Sequence, residues 1–449
     1  MIQMSLKQAA AILDCGAPDT DAEFHGITTD SRQVEPGMMF AALGGTRSDG
    51  HDFAASAVND GAGALLLSRA LELSVPQLVV DNVLVALGAL AAAWREETRP
   101  VPIGITGSNG KTTTREMVTR ILELEDLVHS TSRNYNNELG LPLTLFGLDH
   151  NHRYVVLELG ASKAGDIAYL AEMSRPEVGL ITTIGPAHLQ GFGDEEGVAR
   201  AMGERFESLP ENGVAIINSD EPWCELWQEM CQAKNIITFG KDKNSDVYAD
   251  DSGTGITVHT PSGAFPLQLR LPGDHNLQNA LAATAVAVAL GKSTEQIQQG
   301  LENTCPVPGR LNVIHTQAGW TVIDDTYNAN PASLYAAIQV LCRIQGEPWL
   351  VLGDMKELGT NSRKMHAEMG ESARSLGVKR IYAIGDSTVF TVDAFGPGGR
   401  HFSSQAALIE QLSRDLHEGV ACLVKGSRSM VMEQVVNAVT GSQVMREAG

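Results

Sequence analysis

Short apolar runs alternate with helix-spaced stretches along nearly the whole chain. Between Ser5 and Thr98 the elements are short, with glycine turns at Gly44-Gly45 and Gly61-Ala62-Gly63, and the stretch from Val83 to Trp94 reads as a helix. Arg99-Pro100-Val101-Pro102 then punctuates the chain, because a residue before proline is pushed out of the helical region. Apolar runs at 101–106, 154–159, 178–184, 213–218 and 235–239, separated by helical spacing, predict a parallel sheet with crossovers. Residues 246–272 break this rhythm. Asp251-Ser252-Gly253-Thr254-Gly255 and Pro261-Ser262-Gly263 read as hairpin turns and predict a small antiparallel patch.

A helix from near Asn276 to Leu290 follows, and Pro306-Val307-Pro308-Gly309 marks a second boundary. Strands at 321–325, 349–354, 379–384 and 421–425, each followed by a helical pattern, restart the α/β alternation. The predicted fold class is α/β in three domains. Residues 1–98 form a small mixed domain, 99–309 a parallel-sheet domain with the antiparallel patch, and 310–449 a Rossmann-like domain. The length of 449 residues agrees with this division at roughly 150 residues per domain.

Composition narrows the function classes. Acidic residues outnumber basic ones by 54 to 33, a formal net charge of -21, so long-range electrostatics oppose binding to nucleic acid or anionic lipid. Any site for an anionic substrate must therefore be locally basic, or built from backbone N–H groups and a metal. The N-terminus lacks a basic start followed by an apolar core, and no apolar run reaches the ~18 residues of a membrane span. Cysteines 15, 224, 231, 305, 342 and 422 show no C-x-x-C spacing, which predicts reduced, mostly buried thiols and a cytoplasmic location.

The chemistry concentrates after the strand at 101–106. Gly107-Ser108-Asn109-Gly110-Lys111-Thr112-Thr113 leads from that strand into a helical stretch. Glycines permit close backbone approach, a helix N-terminus supplies N–H donors, a lysine neutralises phosphate oxygens and a hydroxyl reaches magnesium. The usual spacing of a phosphate loop is not fully met, because Ile105 stands where the first glycine belongs. Glu158 closes the run from Tyr154, and His188 follows the next strand, so both lie at strand C-terminal ends, where α/β sheets hold ligands. Read alone, each is open between a metal ligand and a solvated loop residue.

Together with Thr29-Asp30-Ser31-Arg32, the segments Asn134 to Gly140, Glu158-Leu159-Gly160-Ala161, Asp324 to Pro331, Gly353 to Gly359 and Lys425-Gly426-Ser427-Arg428 make this chain resemble the Mur ligases of bacterial cell-wall synthesis over nearly its full length. The resemblance implies that residues Gly107 to Thr113 hold ATP, with Lys111, Glu158 and His188 catalytic and Thr112, Glu158 and His188 serving Mg2+. Asn276, Asn279, Arg310 and Asp325 are implied nucleotide contacts; helix capping is the alternative for the two asparagines, since Asn at a helix start is a preferred cap. Ser31, Arg32 and Gly44, with Asp49-Gly50-His51, are implied contacts to the UDP moiety of one substrate, where a surface turn is the alternative. Asn136, Asn137, Asn328, Asn330, Lys425, Ser427 and Arg428 complete the implied substrate set. The implied substrates are a UDP-N-acetylmuramoyl tripeptide and D-alanyl-D-alanine, joined through an acyl phosphate by a monomeric enzyme.

One position departs from the family pattern. Many Mur ligases carry a carbamylated lysine downstream of the histidine, and Met202 occupies the matching place here. Methionine forms no carbamate, so a second magnesium requires other ligands, and compensation is expected from Arg200 or Glu204. Three rivals stand beside this expectation: a sister ligase adding a single amino acid, a folylpolyglutamate synthetase-like ligase, and a nucleotide-binding regulator that forms no bonds.

Overall fold

The structure is a computed structural model and describes residues 1–19, 21–45, 48–185, 189–251 and 255–441. Its centre is a nine-stranded sheet built on the apolar runs that the sequence places between 101 and 267. Seven strands are parallel, in the spatial order Val247–Asp251, Asn235–Gly240, Val214–Asn218, Val178–Ile181, Val101–Thr106, Tyr154–Glu158 and Val128–Ser130. Ile256–Thr260 and Gly263–Leu267 extend the far edge as the predicted antiparallel patch. The turn that joins its first two strands includes 252–254, outside the described residues.

Val101–Thr106 is where the chain reverses its direction of travel across the sheet. From it the chain passes outward to Val128–Ser130 and back to Tyr154–Glu158, then crosses to Val178–Ile181 on the opposite side. Such a switch point leaves a crevice at the strand C-termini, the usual ligand position in open α/β sheets. The phosphate-loop sequence begins there.

The first region contributes a four-stranded parallel sheet of Ile27–Thr28, Met39–Ala41, Ala64–Leu67 and Gln77–Val79, beside an antiparallel pair of Gln3–Ser5 and Glu23–His25. The last region carries a six-stranded sheet in which Asn312–His315 runs antiparallel beside Thr321–Asp325. The parallel strands Val420–Lys425, Glu347–Gly353, Arg380–Ile384 and Gly399–Phe402 follow in that order.

Packing distinguishes how these parts are joined. Helix Val83–Thr98 presents Leu87, Leu90 and Trp94 to Leu141, Leu145 and Met173 of the central region in one continuous apolar cluster. Each such side chain fully buried is worth about 1.5–3 kcal/mol, so these two regions share a substantial core. Trp94 also donates its indole N–H to the Leu148 carbonyl at 3.1 Å. The third sheet has its own two apolar clusters. Its hydrogen bonds to the centre are polar, among them the Arg343–Asp274 ion pair at 2.7 Å, and polar interfaces of this kind permit relative movement.

Among the described residues no helix is long and apolar enough to cross a membrane. All six cysteines are free. Only Cys422 is buried; Cys305 is exposed and the other four are partly accessible, so the expectation of mostly buried thiols is corrected. Cys15, Cys224, Cys231 and Cys305 lie on helix ends and connecting segments rather than in strands, where the sheet would cover them.

Candidate active site

The loop after Val101–Thr106 is held in a phosphate-binding shape by its own glycines and by the neighbouring strand end. Gly107 and Gly110 have φ of 132° and 85°, left-handed values that disfavour a side chain. Crowding excludes one as well: a Cβ on Gly107 would lie 2.2 Å from Thr182 Oγ1, and one on Gly110 would lie 2.3 Å from Asn279 Oδ1. The Ser108 N–H donates to the Thr183 carbonyl at 2.7 Å, and Thr182 Oγ1 donates to the Asn109 carbonyl at 2.6 Å. Ser108 Oγ accepts from the Gly185 N–H at 3.1 Å. Both sides of the switch point are therefore bonded together. Helix Lys111–Leu122 begins inside the loop, with its first N–H groups and partial positive charge facing the crevice.

Lys111 Nζ donates to the Gly107 carbonyl at 2.5 Å, which folds the side chain back over the loop. Burial pushes its ammonium below the ordinary lysine range, Glu158 works against that shift and Arg310 adds to it. Thr112 Oγ1 donates to Glu158 Oε2 at 2.9 Å, and Asn136 Nδ2 donates to Glu158 Oε1 at 2.9 Å. The Glu158 side chain is buried and fixed from both sides. A hydroxyl and a carboxylate in this arrangement are hard oxygen donors suited to Mg2+, which commonly keeps several waters and takes one or two carboxylates. Thr112 and Glu158 are the residues that would hold it. Thr113, the last loop residue, is half-buried on the same helix. His188 lies outside the described residues.

Asn276 and Asn279 lie on helix Asp274–Ala289, behind the loop. The helix begins two residues earlier than the sequence suggests, with Gly273 at the capping position, so Asn276 is not the cap. Asn276 Nδ2 donates to the Pro272 carbonyl at 2.8 Å, while Asn279 Nδ2 donates to Asn276 Oδ1 at 3.2 Å and Asn279 Oδ1 accepts from Thr114 at 3.3 Å.

The third region reaches this crevice at two points. Arg310 Nη2 donates to Thr112 Oγ1 at 3.4 Å, and Asn330 Nδ2 donates to Asn109 Oδ1 at 2.8 Å. Asn330 also caps helix Pro331–Arg343 through the Ser333 N–H at 2.8 Å. Asp325 is not free. It pairs with buried Lys425 at 2.5 Å and accepts the Leu311 N–H at 3.3 Å. Lys425 donates in addition to the Asn328 carbonyl at 2.8 Å, and burial draws its ammonium below the ordinary range against the pull of Asp325. Ser427 Oγ accepts the Lys356 N–H at 2.8 Å, and exposed Arg428 pairs with Glu433 at 2.9 Å.

Of the remaining candidates, Asn137 accepts the Gly140 N–H at 2.9 Å, at the start of the helix beside the loop. Ser31 and Arg32 form a short turn capped by Asp30, whose carboxylate takes the Arg32 guanidinium at 2.7 and 2.9 Å. Gly44 bridges to Asp49, which holds buried His51 at 2.6 Å. This group belongs to the first sheet, apart from the loop.

Met202 is buried in the shared core, and Thr106 Oγ1 donates to its sulfur at 3.0 Å. A thioether is a poor partner for a hard cation. The suggested substitutes do not supply a ligand. Glu204 is spent on the Gly165 and Ala168 N–H groups at 2.8 and 3.0 Å, at the N-terminus of helix Asp166–Ser174, and Arg200 pairs with Glu196 on the exposed face. The expectation of compensation by Arg200 or Glu204 is therefore corrected.

Sequence reasoning overlooked Glu221, beyond the end of strand Val214–Asn218. Its carboxylate accepts the Ile184 N–H at 3.3 Å, and burial pushes it up to about 7. A carboxyl held more protonated in the folded state than in the unfolded chain adds stability at low pH, which is lost as pH rises through about 7. Glu221→Gln is thus expected to gain about 1–2 kcal/mol over the wild type between about pH 5 and about pH 8, measured by urea unfolding at both values. An identical difference at the two pH values would remove this assignment.

A phosphate loop at a switch point, a buried hydroxyl–carboxylate pair and an arginine brought from a third α/β region define an ATP-using ligase architecture of one class. The chain belongs to the Mur ligase family. It matches the Mur ligase family catalytic domain over residues 23–101, the Mur ligase middle domain over 105–287 and the Mur ligase glutamate ligase domain over 309–428. Within the family it is 41% identical to the UDP-N-acetylmuramoyl-tripeptide–D-alanyl-D-alanine ligase of Escherichia coli K12, over 98% of this chain and 99% of that one. The crystal structure of MurF from Acinetobacter baumannii superposes with a TM-score of 0.91 at 35% identity, covering 98% of this chain and 100% of the other. MurF ligase from Thermotoga maritima, solved in complex with ADP, gives 0.83 at 29% identity over 93% and 97%.

Proposed function

We infer that this chain joins D-alanyl-D-alanine to the terminal carboxylate of a UDP-N-acetylmuramoyl tripeptide at the expense of ATP, in the cytoplasm, as a step of peptidoglycan precursor synthesis. The observation that carries this reading is the meeting of Arg310, from the third region, with Thr112 at the phosphate loop, where Thr112 is itself bonded to Glu158. Full-length similarity to ligases of that name supports the choice of substrates.

A carboxylate is a poor electrophile, and its oxygen is a poor leaving group. On this reading the substrate carboxylate attacks the γ-phosphorus of ATP, ADP departs, and an acyl phosphate forms. The amine of the dipeptide then attacks the carbonyl carbon, loses a proton and expels phosphate. The first step brings two anions together. Lys111, the loop N–H groups and Arg310 offset that repulsion at fixed positions, which is the usual origin of catalysis in phosphoryl transfer. Magnesium, when bound at Thr112 and Glu158, neutralises phosphate oxygens. The family resemblance assigns His188 to the same metal site.

Residues 1–98, with Ser31, Arg32 and Gly44, bind the UDP moiety; 99–309 bind ATP; and 310–449 bring Asn328, Asn330, Lys425, Ser427 and Arg428 toward the dipeptide. Asn136 acts through Glu158 and Asn137 through the helix beside it. Closure of the third region excludes water, which would otherwise hydrolyse the acyl phosphate. The test is phosphate release by the purified chain with ATP, the UDP-muramoyl tripeptide and a panel of amines. Release with D-alanyl-D-alanine supports the reading; release only with a single amino acid makes the chain a sister ligase.

A further inference from the structure

Among the described residues no carboxylate is hydrogen-bonded to the Arg310 side chain at the catalytic crevice; its one side-chain hydrogen bond there is the 3.4 Å contact to Thr112, and its Nε is buried without a partner among those residues. An arginine side chain has many accessible rotamers, so something else must hold the guanidinium in place before the nucleotide arrives.

Two features do so. The Tyr327 ring lies under the guanidinium, 4.0 Å from its central carbon to the ring centroid. The backbone on either side of Arg310 is clamped by adjacent carboxylates: the Gly309 N–H donates to Asp324 Oδ2 at 3.1 Å and the Leu311 N–H to Asp325 Oδ1 at 3.3 Å. The Tyr327 N–H closes the clamp onto the Gly309 carbonyl at 3.1 Å. Gly309 and Leu311 have φ of 73° and 51°. A left-handed leucine is strained and persists only where its surroundings over-determine it. Asp324 is itself fixed by Thr326 Oγ1 at 2.6 Å and the Thr326 N–H at 3.2 Å, so the clamp is rigid rather than adaptive.

We propose that Asp324 and Tyr327 are positioning residues that hold the Arg310 guanidinium, with its unsatisfied Nε–H, ready for an oxygen of the nucleotide triphosphate. This rests on the reading of Arg310 as a nucleotide contact. The Tyr327 ring acts by stacking and its hydroxyl does not take part; Asp324 acts by fixing the backbone turn. Both work through Arg310 alone.

The test is steady-state kinetics of the full chain with ATP varied and both co-substrates saturating, for Tyr327→Leu, Tyr327→Phe, Asp324→Asn, Arg310→Ala and the double variant Tyr327→Leu with Arg310→Ala. Melting temperatures confirm that each variant is folded. Tyr327→Leu is expected to lower kcat/KM for ATP about tenfold, a loss that Tyr327→Phe rescues to within about twofold, and Asp324→Asn is expected to move it in the same direction as Tyr327→Leu. In the Arg310→Ala background the tyrosine change is expected to add nothing further. Additive losses in the double variant, or equal damage from Phe and Leu, would overturn the proposal. A large effect of Arg310→Ala with none from Tyr327→Leu also overturns it while leaving the role of Arg310 intact. No effect of Arg310→Ala on an active enzyme removes the role of Arg310 and the proposal with it, and inactivity of the unaltered chain with every substrate refutes the functional reading instead.

Discussion

Lys111→Ala abolishes turnover, with kcat falling about a thousandfold or more, while the melting temperature of the nucleotide-free protein stays within a few degrees of the wild type. The two halves of this expectation have separate causes. The Lys111 ammonium is desolvated in the free protein and donates to the Gly107 and Ser108 carbonyls, so its removal takes away a burial penalty along with two hydrogen bonds. Its benefit arises only when phosphate oxygens occupy the crevice. Lys111→Met, which keeps the length of the stem without the charge, is expected to be equally inactive. Phosphate release and thermal unfolding, measured on the same samples, check the pair of outcomes. An active alanine variant would show that the loop does not handle the transferred phosphate.

The second large effect falls on Glu158. Its two carboxylate oxygens accept from Thr112 and Asn136, so Glu158→Gln keeps the shape of the site and the bond from Asn136, turns the Thr112 hydroxyl from donor to acceptor, and removes the charge. The variant is expected to lose about a hundredfold or more in kcat and to need about tenfold more magnesium for half-maximal rate. A magnesium titration of phosphate release separates this from misfolding, because a structural defect lowers the rate at every concentration without shifting the midpoint. An unchanged midpoint would place the metal elsewhere.

How much of this was legible in the chain depended on the range of each signal. The loop from Gly107 to Thr113 and the strand runs around it are local patterns, and the structure places them where apolar periodicity predicts. The individual strands before Thr98 were not located, and in the central and third regions the strands missed were Val128–Ser130, Asn312–His315 and Gly399–Phe402. The latter are three or four residues long, and several of their side chains are polar, so no apolar run marks them. Glu158 reads as a strand-end carboxylate, but its pairing with Asn136 comes from a loop crossing that no local spacing encodes. The same limit applies to Arg310, whose contact with Thr112 spans 198 residues of sequence.

Met202 shows the converse. A single residue type in the sequence excluded a carbamate, yet only packing showed why Glu204 and Arg200 do not replace it: one caps a helix and the other faces outward. The positions of Tyr327 and Asp324 likewise carry meaning only after folding, because each acts on Arg310, which precedes it in the chain just after the boundary at Pro306 to Gly309. The family resemblance gave the identity of the chemistry, and the geometry gave the contacts among the residues proposed for it.

The most direct measurement of that chemistry follows an oxygen atom. The UDP-muramoyl tripeptide, labelled with oxygen-18 in its terminal carboxylate, is incubated with the chain, ATP and D-alanyl-D-alanine, and the released phosphate is analysed by mass. Formation of an acyl phosphate followed by attack of the amine carries one labelled oxygen into each phosphate, and release occurs only when both the tripeptide and the dipeptide are present. Unlabelled phosphate, or release without the dipeptide, would contradict the account.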